Sequence, residues 1–209
     1  MLYAEVVTLL KSSDFSDLPG DAAHQLLSPA HRKPASAYLK ESTDYRLAAV
    51  LALIVPAEDD TAQLVLMERT GGESVHASQV SFPGGKVEPG ESLKDAALRE
   101  AEEEIGIQRQ QVDVITELSA LFIPPSRFLV HPFLAAMHER PDYVISENEV
   151  RRVVEIPLAH FLRPDVLDSG LFGSARGYTV NAPFYKWEDL KIWGATAMMI
   201  SEIIALIKK

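Results

Sequence analysis

The spacing of apolar residues changes several times along the chain, and each change predicts a different kind of element. Residues 1 to about 45 lean helical. Leu2, Val6, Leu9 and Leu10 fall at helical spacing ahead of the breakers Pro19 and Gly20, which predicts one or two packing or lid helices. At Arg46 the texture changes: LAAVLALIV is an unbroken apolar run of strand length, the polar turn EDDT follows, and AQLVLMER resumes. Two strands with a hairpin-like connection are expected there. Beyond GGES, a short alternating stretch ends at two glycines and gives way to sustained helical periodicity. Ser92 with Asp95 three residues on matches a capping box, and Gly106 stands where a helix-ending glycine belongs. These signals place a helix at roughly 92 to 105. VDVITELSALFIP, FLVHPFLAAM and VRRVVEIPL read as further strands, and Pro157 with LAHFL as a short helix. Gly173 to Gly177 reads as a hairpin leading to FYKWEDLKIW, and ATAMMISEIIALIKK as a C-terminal helix. Strands outnumber helices without strict alternation, so the expected class is α/β, a mixed β-sheet with helices on its faces.

Composition narrows the chemistry. With 47% hydrophobic residues and 24% charged ones, the 209 residues describe an ordinary globular chain, expected to be one domain with an appended element. The net charge of −10 repels phosphate backbones and anionic lipid, so neither nucleic acid nor a membrane is expected as a partner. There is no cysteine, which removes disulfides, thiolate nucleophiles and cysteine-held metals and fits a cytoplasmic location. The longest apolar run, Leu47 to Pro56, is half of the roughly 20 residues that span a bilayer. The start, MLYAEVVTLLKSSDF, lacks a leading basic residue and a small-residue cleavage site, so it is expected to belong to the folded protein.

The run Arg99, Glu100, Ala101, Glu102, Glu103, Glu104 is the richest in chemistry. On a helical wheel, Leu93, Ala97, Ala101 and Ile105 define an apolar face from 0° to about 120°. Glu104 falls at about 20°, Glu100 at about 340° and Glu103 at about 280°, while Glu102 points away at about 180°. Two accounts compete: a solvated acidic surface, or three carboxylates gathered on one patch that need a compensating cation. The spacing favours the second. Oxygen-only ligands suit a hard divalent ion, Mg2+ or Mn2+, of the kind that assists phosphoryl or pyrophosphoryl chemistry.

From Gly85 to Ile107 the residues resemble the Nudix box, G-x5-E-x7-R-E-U-x-E-E-x-G-U, where U is apolar. Gly85, Glu91, Arg99, Glu100, Ala101, Glu103, Glu104, Gly106 and Ile107 fill its specified places. The resemblance implies an α/β/α sandwich in which the box forms a loop, helix, loop element. It implies hydrolysis at a phosphorus of a nucleoside diphosphate linked to another group. Carried over, Glu100, Glu103 and Glu104 look like metal ligands, with the Gly85 carbonyl a further one. Glu103 becomes the candidate to orient or deprotonate water, although a bound metal lessens the need for a base. Glu91 and Arg99 look like an ion pair bracing the helix, with Arg99 also able to orient a glutamate; a purely structural pair is the other reading. Gly84 and Gly85 would let the backbone approach metal and phosphates, or only form a turn.

The preceding stretch, VLMERTGGESVHASQVSFPGG, resembles the signature of coenzyme A pyrophosphatases. Arg69, His76, Gln79, Phe82, Pro83, Gly84 and Gly85 agree with it. Met67, Thr70, the pair Glu73 and Ser74, and Ser78 depart from it. RLAAVLALIV, NEVRRVVEIPLAHFL and KIWGATAMMISEIIAL extend the likeness over about residues 46 to 205. The resemblance thus implies a helical extension at 1–45 and a Nudix domain at 46–209. The implied reaction cleaves coenzyme A or acyl-CoA to adenosine 3′,5′-bisphosphate and 4′-phosphopantetheine. ADP-ribose or another nucleoside diphosphate derivative is the alternative substrate, and a nucleotide-binding domain without catalysis is the rival class. Arg69, at a strand end, is a phosphate candidate. Arg127, in the PPSRF loop, is read as a phosphate contact or a loop residue, and His76 as a substrate contact or a surface turn. Phe122, Phe128, Ile192, Trp193 and Gly194 read as core packing. The oligomeric state stays open, with a homodimer as one option.

Overall fold

The computed structural model describes residues 1–41, 43–70, 79–173 and 179–208. The two apolar runs fold as β1 (Arg46–Pro56) and β2 (Ala62–Arg69), antiparallel with Pro56 opposite Ala62. β1 is apolar without interruption because both its faces are covered. Ala49, Leu51, Leu53 and Val55 enter one core, and Ala48, Ala52 and Ile54 enter the other. Among the described residues the main sheet is completed by β3 (Val80–Ser81), β4 (Gly84–Lys86), β5 (Asp113–Glu117), β6 (Leu121–Ile123), β7 (Phe128–Ala136) and β8 (Val150–Pro157). β7 runs parallel to β1, with Arg46 opposite Phe128. The pairings of β2 with β3 and β8, of β1 with β4, and of β7 with β5 and β6 are antiparallel. β9 (Leu167–Gly173), β10 (Thr179–Trp187) and β11 (Leu190–Trp193) form a separate antiparallel sheet. Residues 174–177 of the expected hairpin lie outside the described residues.

Three short helices precede β1, where the spacing predicts one or two: α1 (Tyr3–Ser12), α2 (Gly20–Leu26) and α3 (Ala35–Glu41). Pro34 resets the chain before α3, whose first amide, Ala35 N, donates to Asp21 Oδ1 at 3.0 Å. The buried face of α1 is Tyr3, Val6, Val7 and Leu10, whereas Leu2 and Leu9 are exposed, contrary to expectation. Leu2 precedes the helix and bridges to Thr61, so it never joins the helical face. Leu9 lies about 100° around the axis from Leu10.

α4 (Leu93–Ile105) covers one face of the main sheet and α5 (Gly194–Ile207) the other, together with α1 and α2. This is the layered α/β fold expected from the sequence. The caps of α4 are those predicted: Ser92 Oγ accepts from Asp95 N at 3.1 Å, and Gly106 ends the helix at φ 72°. LAHFL forms a 3-10 turn at Leu158–Leu162. Ile192 is fully buried, and Trp193, just ahead of α5, stacks on Phe172 with ring centroids 4.3 Å apart. Among the described residues no helix is long and apolar enough to cross a membrane.

Candidate active site

The helical face of α4 is wider than the wheel predicts. Ala96 and Leu98 are buried along with Ala97, Ala101 and Ile105, while Leu93 is only partly buried. Glu104 sits inside this face, 2% exposed. Its Oε2 accepts from Gly84 N at 2.8 Å and its Oε1 from Arg69 Nη1 at 2.9 Å. One carboxylate therefore ties α4 to the end of β2 and to the start of β4. Burial pushes it up to about 7, against the opposing pull of the Gly84 amide and Arg69.

Gly84 and Gly85 are required at these positions. At Gly84, φ is 150° and a Cβ would come within 2.4 Å of the Ala49 carbonyl oxygen. At Gly85 a Cβ would fall 2.4 Å from Cδ of Glu100, so the β4 backbone lies directly against that carboxylate.

Arg99 organises the other side of the helix. Its Nε and Nη2 bind both oxygens of Glu91 at 3.0 and 2.8 Å. Its Nη1 donates to Glu100 Oε1 at 2.9 Å and to Glu103 Oε2 at 3.1 Å, and its Nη2 reaches the Lys86 carbonyl at 3.3 Å. The hydrogen bonds from Arg99 hold the Glu91 carboxyl below its ordinary range, and the glutamates hold Arg99 firmly protonated. Glu100 moves the other way: burial raises it, Arg99 opposes, and the neighbouring charges of Glu103 and Glu149 raise it further. Glu103 is the outermost of the set, its side chain 60% exposed. Glu102 turns away and pairs with Arg109 at 2.7 Å.

Glu149 enters from a distant loop and was not singled out from the sequence. Its Oε2 stands 3.9 Å from Arg69 Nη2, and its charge is felt at Glu100. The loop is held to the end of α4 by Ser146 N, which donates to the Glu104 carbonyl at 2.9 Å, and Val144 N, which donates to that of Ile105 at 3.1 Å. The sequence signal, if any, is the acidic SENE stretch next to β8.

Five carboxylates, those of Glu91, Glu100, Glu103, Glu104 and Glu149, thus surround the guanidinium groups of Arg69 and Arg99. The local excess is anionic, and the donors are all oxygens, which suits a hard divalent cation. Among the described residues no three acidic or histidine side chains already converge as a ligand cage. The wheel gathers Glu100, Glu103 and Glu104 on one patch, but the fold divides them. Arg99 holds Glu100 and Glu103, whereas Arg69 and the Gly84 amide hold Glu104. Magnesium sites built on one or two carboxylates, completed by waters and phosphate oxygens, match this donor set.

Arg127 stands apart from the network. It adopts φ 56° between β6 and β7, pairs with the Asp44 carboxylate, and donates to the Asp44 carbonyl at 2.8 Å. His76, with Glu73, Ser74 and Ser78, lies outside the described residues.

The profile of the NUDIX domain matches residues 46–176. Nudix hydrolase 3 of Caenorhabditis elegans is 26% identical over 206 residues, covering 90% of this chain and 85% of its own. The Nudix hydrolase NudL of Yersinia enterocolitica is 37% identical over 158 residues, covering 75% and 78% respectively. Among solved structures, a MutT/nudix family protein from Enterococcus faecalis superposes with TM-score 0.52 at 16% identity, over 86% of this chain and 71% of that one. The MutT protein of Methanosarcina mazei gives TM-score 0.50 at 18% identity, over 80% of this chain and 99% of that one. At these identities the structural likeness concerns the fold alone.

Proposed function

The chain belongs to the Nudix hydrolase family, and from that premise we propose that it hydrolyses the pyrophosphate of coenzyme A or an acyl-CoA. The products are adenosine 3′,5′-bisphosphate and 4′-phosphopantetheine. The observation that carries the hydrolytic reading is the group of Glu100, Glu103 and Arg99 packed against the side-chain-free backbone of Gly85. What favours coenzyme A is the segment before the box, in which Arg69, Gln79, Phe82, Pro83 and the two glycines keep the signature of coenzyme A pyrophosphatases.

Glu100, Glu103, Glu104 and the Gly85 carbonyl would hold Mg2+ or Mn2+, with one or two of the carboxylates serving any one ion and waters or phosphate oxygens supplying its remaining ligands. Such an ion supplies Lewis acidity at the phosphates and lowers the pKa of a bound water. The chain's own part is positioning. Arg99 fixes the rotamers of Glu100 and Glu103 and is itself fixed by the two-pronged contact with Glu91. Glu103 is proposed to orient the attacking water or accept its proton, a reading supported by its exposed side chain, which water can reach. Arg69 keeps donors beyond those used by Glu104 and offers them to a phosphate. Arg127 and His76 are proposed as further substrate contacts. Water adds a hydroxyl to one phosphorus while the bridging P–O bond breaks, and the leaving phosphate carries away the bond's electron pair.

The departures at Glu73, Ser74 and Ser78 favour a second reading, hydrolysis of ADP-ribose or another nucleoside diphosphate derivative, because a basic side chain of the signature is absent at Ser74. A substrate panel separates the two. Release of adenosine 3′,5′-bisphosphate from coenzyme A, with slower turnover of dephospho-coenzyme A, is the expected result. Turnover of ADP-ribose alone would replace it with the second reading, and tight nucleotide binding with no turnover would point to a non-catalytic domain.

A further inference from the structure

Arg69 is the last residue of β2, and the chain around it is fastened more closely than a strand end requires. Its amide donates to the Gln79 carbonyl at 3.1 Å, and the amide of Thr70 donates to the Glu149 carbonyl at 2.9 Å. Thr70 adds a side-chain bond, from Oγ1 to the Asn148 carbonyl at 2.7 Å. One residue thus holds two successive carbonyls of the segment that leads into β8. The register between β2 and β8 shifts at this point: Glu68 lies opposite Arg152 but Arg69 opposite Val150, which leaves Arg151 as an extra residue. A bulge of this kind disrupts the ladder, so the pairing beyond it depends on local contacts.

The segment held by Thr70 closes a circuit on Glu104. Glu149 N and Val150 N both donate to the Ser146 carbonyl, at 2.9 and 2.8 Å, and Ser146 N donates in turn to the Glu104 carbonyl. The carboxylate of the same Glu104 takes Arg69 Nη1 at 2.9 Å, while Glu149 Oε2 stands 3.9 Å from Arg69 Nη2. Gly106 leaves room for this course of the chain, because a Cβ there would fall 2.6 Å from the Val144 carbonyl oxygen. The guanidinium of Arg69 is therefore flanked by a carboxylate on either side. Its five N–H donors lie in one rigid plane, so holding two corners of that plane fixes the direction of the others. Glu104 is buried and fixed, but Glu149 has a side chain 55% exposed, and such a group steadies its partner only as well as its own backbone is held.

We propose that Thr70 is a positioning residue for phosphate binding. By fixing the carbonyls of residues 148 and 149 it sets Glu149 against Arg69, and through Arg69 it sets the donors offered to the diphosphate of the substrate. The Thr70 hydroxyl bond lies at an exposed place, where a single hydrogen bond contributes modestly to stability, so its loss leaves the fold intact and acts on the site. The proposal rests on the reading above that Arg69 meets a phosphate.

The test is calorimetric titration of ADP, with Mg2+ present, into the full chain as wild type, Thr70→Val, Thr70→Ser, Arg69→Gln, Glu149→Gln and the double variant of Thr70→Val with Glu149→Gln. Unfolding midpoints check that each is folded. Valine keeps the amide and removes the hydroxyl, so affinity is expected to fall about three- to tenfold in Thr70→Val, the size of one hydrogen bond, and to return in Thr70→Ser. In the Glu149→Gln background, whatever that change does alone, Thr70→Val is expected to alter affinity by less than about twofold, because its effect runs through Glu149. On coenzyme A the same variant should raise KM with kcat retained, as loss of binding common to substrate and transition state does. Wild type that does not bind ADP, or Arg69→Gln that binds it equally well, removes the premise and the proposal with it. Where Arg69→Gln is weakened, three results overturn the proposal alone: a folded Thr70→Val with wild-type affinity, Thr70→Ser as weak as Thr70→Val, or the full Thr70→Val loss persisting in the double variant. The ADP titration stands whether or not coenzyme A is cleaved.

Discussion

Two glutamates are buried in helices on opposite faces of the same sheet, and their surroundings differ in an instructive way. Glu202, in the apolar helix α5, is fully buried. Its Oε2 meets His24 Nε2 at 2.9 Å, and its Oε1 accepts from Gly20 N at 3.2 Å and Ser119 N at 3.3 Å. Burial alone would raise it, yet the hydrogen bonds from His24, Ser119 and Gly20 bring it below its ordinary value. Glu104, in α4, has an arginine and one amide, but it also has Glu100 as a neighbour and is pushed up to about 7. A buried carboxylate whose partners outweigh its desolvation acts as a joint between α2, α5 and the loop before β6. One left under-compensated among like charges marks a place where a further cation is favoured.

The comparison breaks most visibly in activity. Glu103→Gln is expected to lower kcat by roughly 10²–10⁴-fold, the range for a group that handles a proton, with the unfolding midpoint little changed because this side chain is mostly exposed. In contrast, His24→Ala strands a buried carboxylate and should cost about 3–5 kcal/mol in denaturant unfolding, while turnover per folded molecule is retained. Gly85→Ala sharpens the link between backbone and carboxylate. Its methyl must displace Glu100, and a drop in activity of roughly tenfold to a hundredfold is expected, of the size seen when a ligand's support is removed.

A smaller effect concerns acid. Glu202 is held below its unfolded value of 4.5, so its contribution to stability is fully present above that pH and is lost as pH falls through the folded value. Stability curves of wild type and Glu202→Gln should accordingly differ near neutral pH and converge in acid. Smallest of all, Ser92→Ala removes the side-chain cap of α4 and should cost about 1 kcal/mol in thermal unfolding.

Much of the α4 side was legible in the sequence because its signals are local. The cap at Ser92, the stop at Gly106 and the inward lean of Glu104 all follow from residues within a few turns of one another. The continuous apolar run of β1 likewise announced a strand, and the two cores it enters explain why the run is unbroken. What the wheel did not convey is the division of labour among the glutamates, since it depends on Arg69 arriving from β2 and Gly84 from β4. Glu149 and the His24–Glu202 pair were hidden for the same reason: their partners are brought together by strand order and helix packing rather than by spacing. On α1, spacing alone admitted Leu2 and Leu9 to the buried face; Leu2 is excluded because it precedes the first helical turn, and Leu9 because it lies to one side of the buried stripe.

The most direct test of the account measures turnover of coenzyme A by wild type and Glu103→Gln across a titration of Mg2+ or Mn2+, with unfolding free energy determined on the same samples. The account predicts metal-dependent release of adenosine 3′,5′-bisphosphate that collapses in the variant while stability stays within about 1 kcal/mol of wild type. Undiminished turnover in Glu103→Gln, or turnover in wild type that ignores the metal, would contradict it.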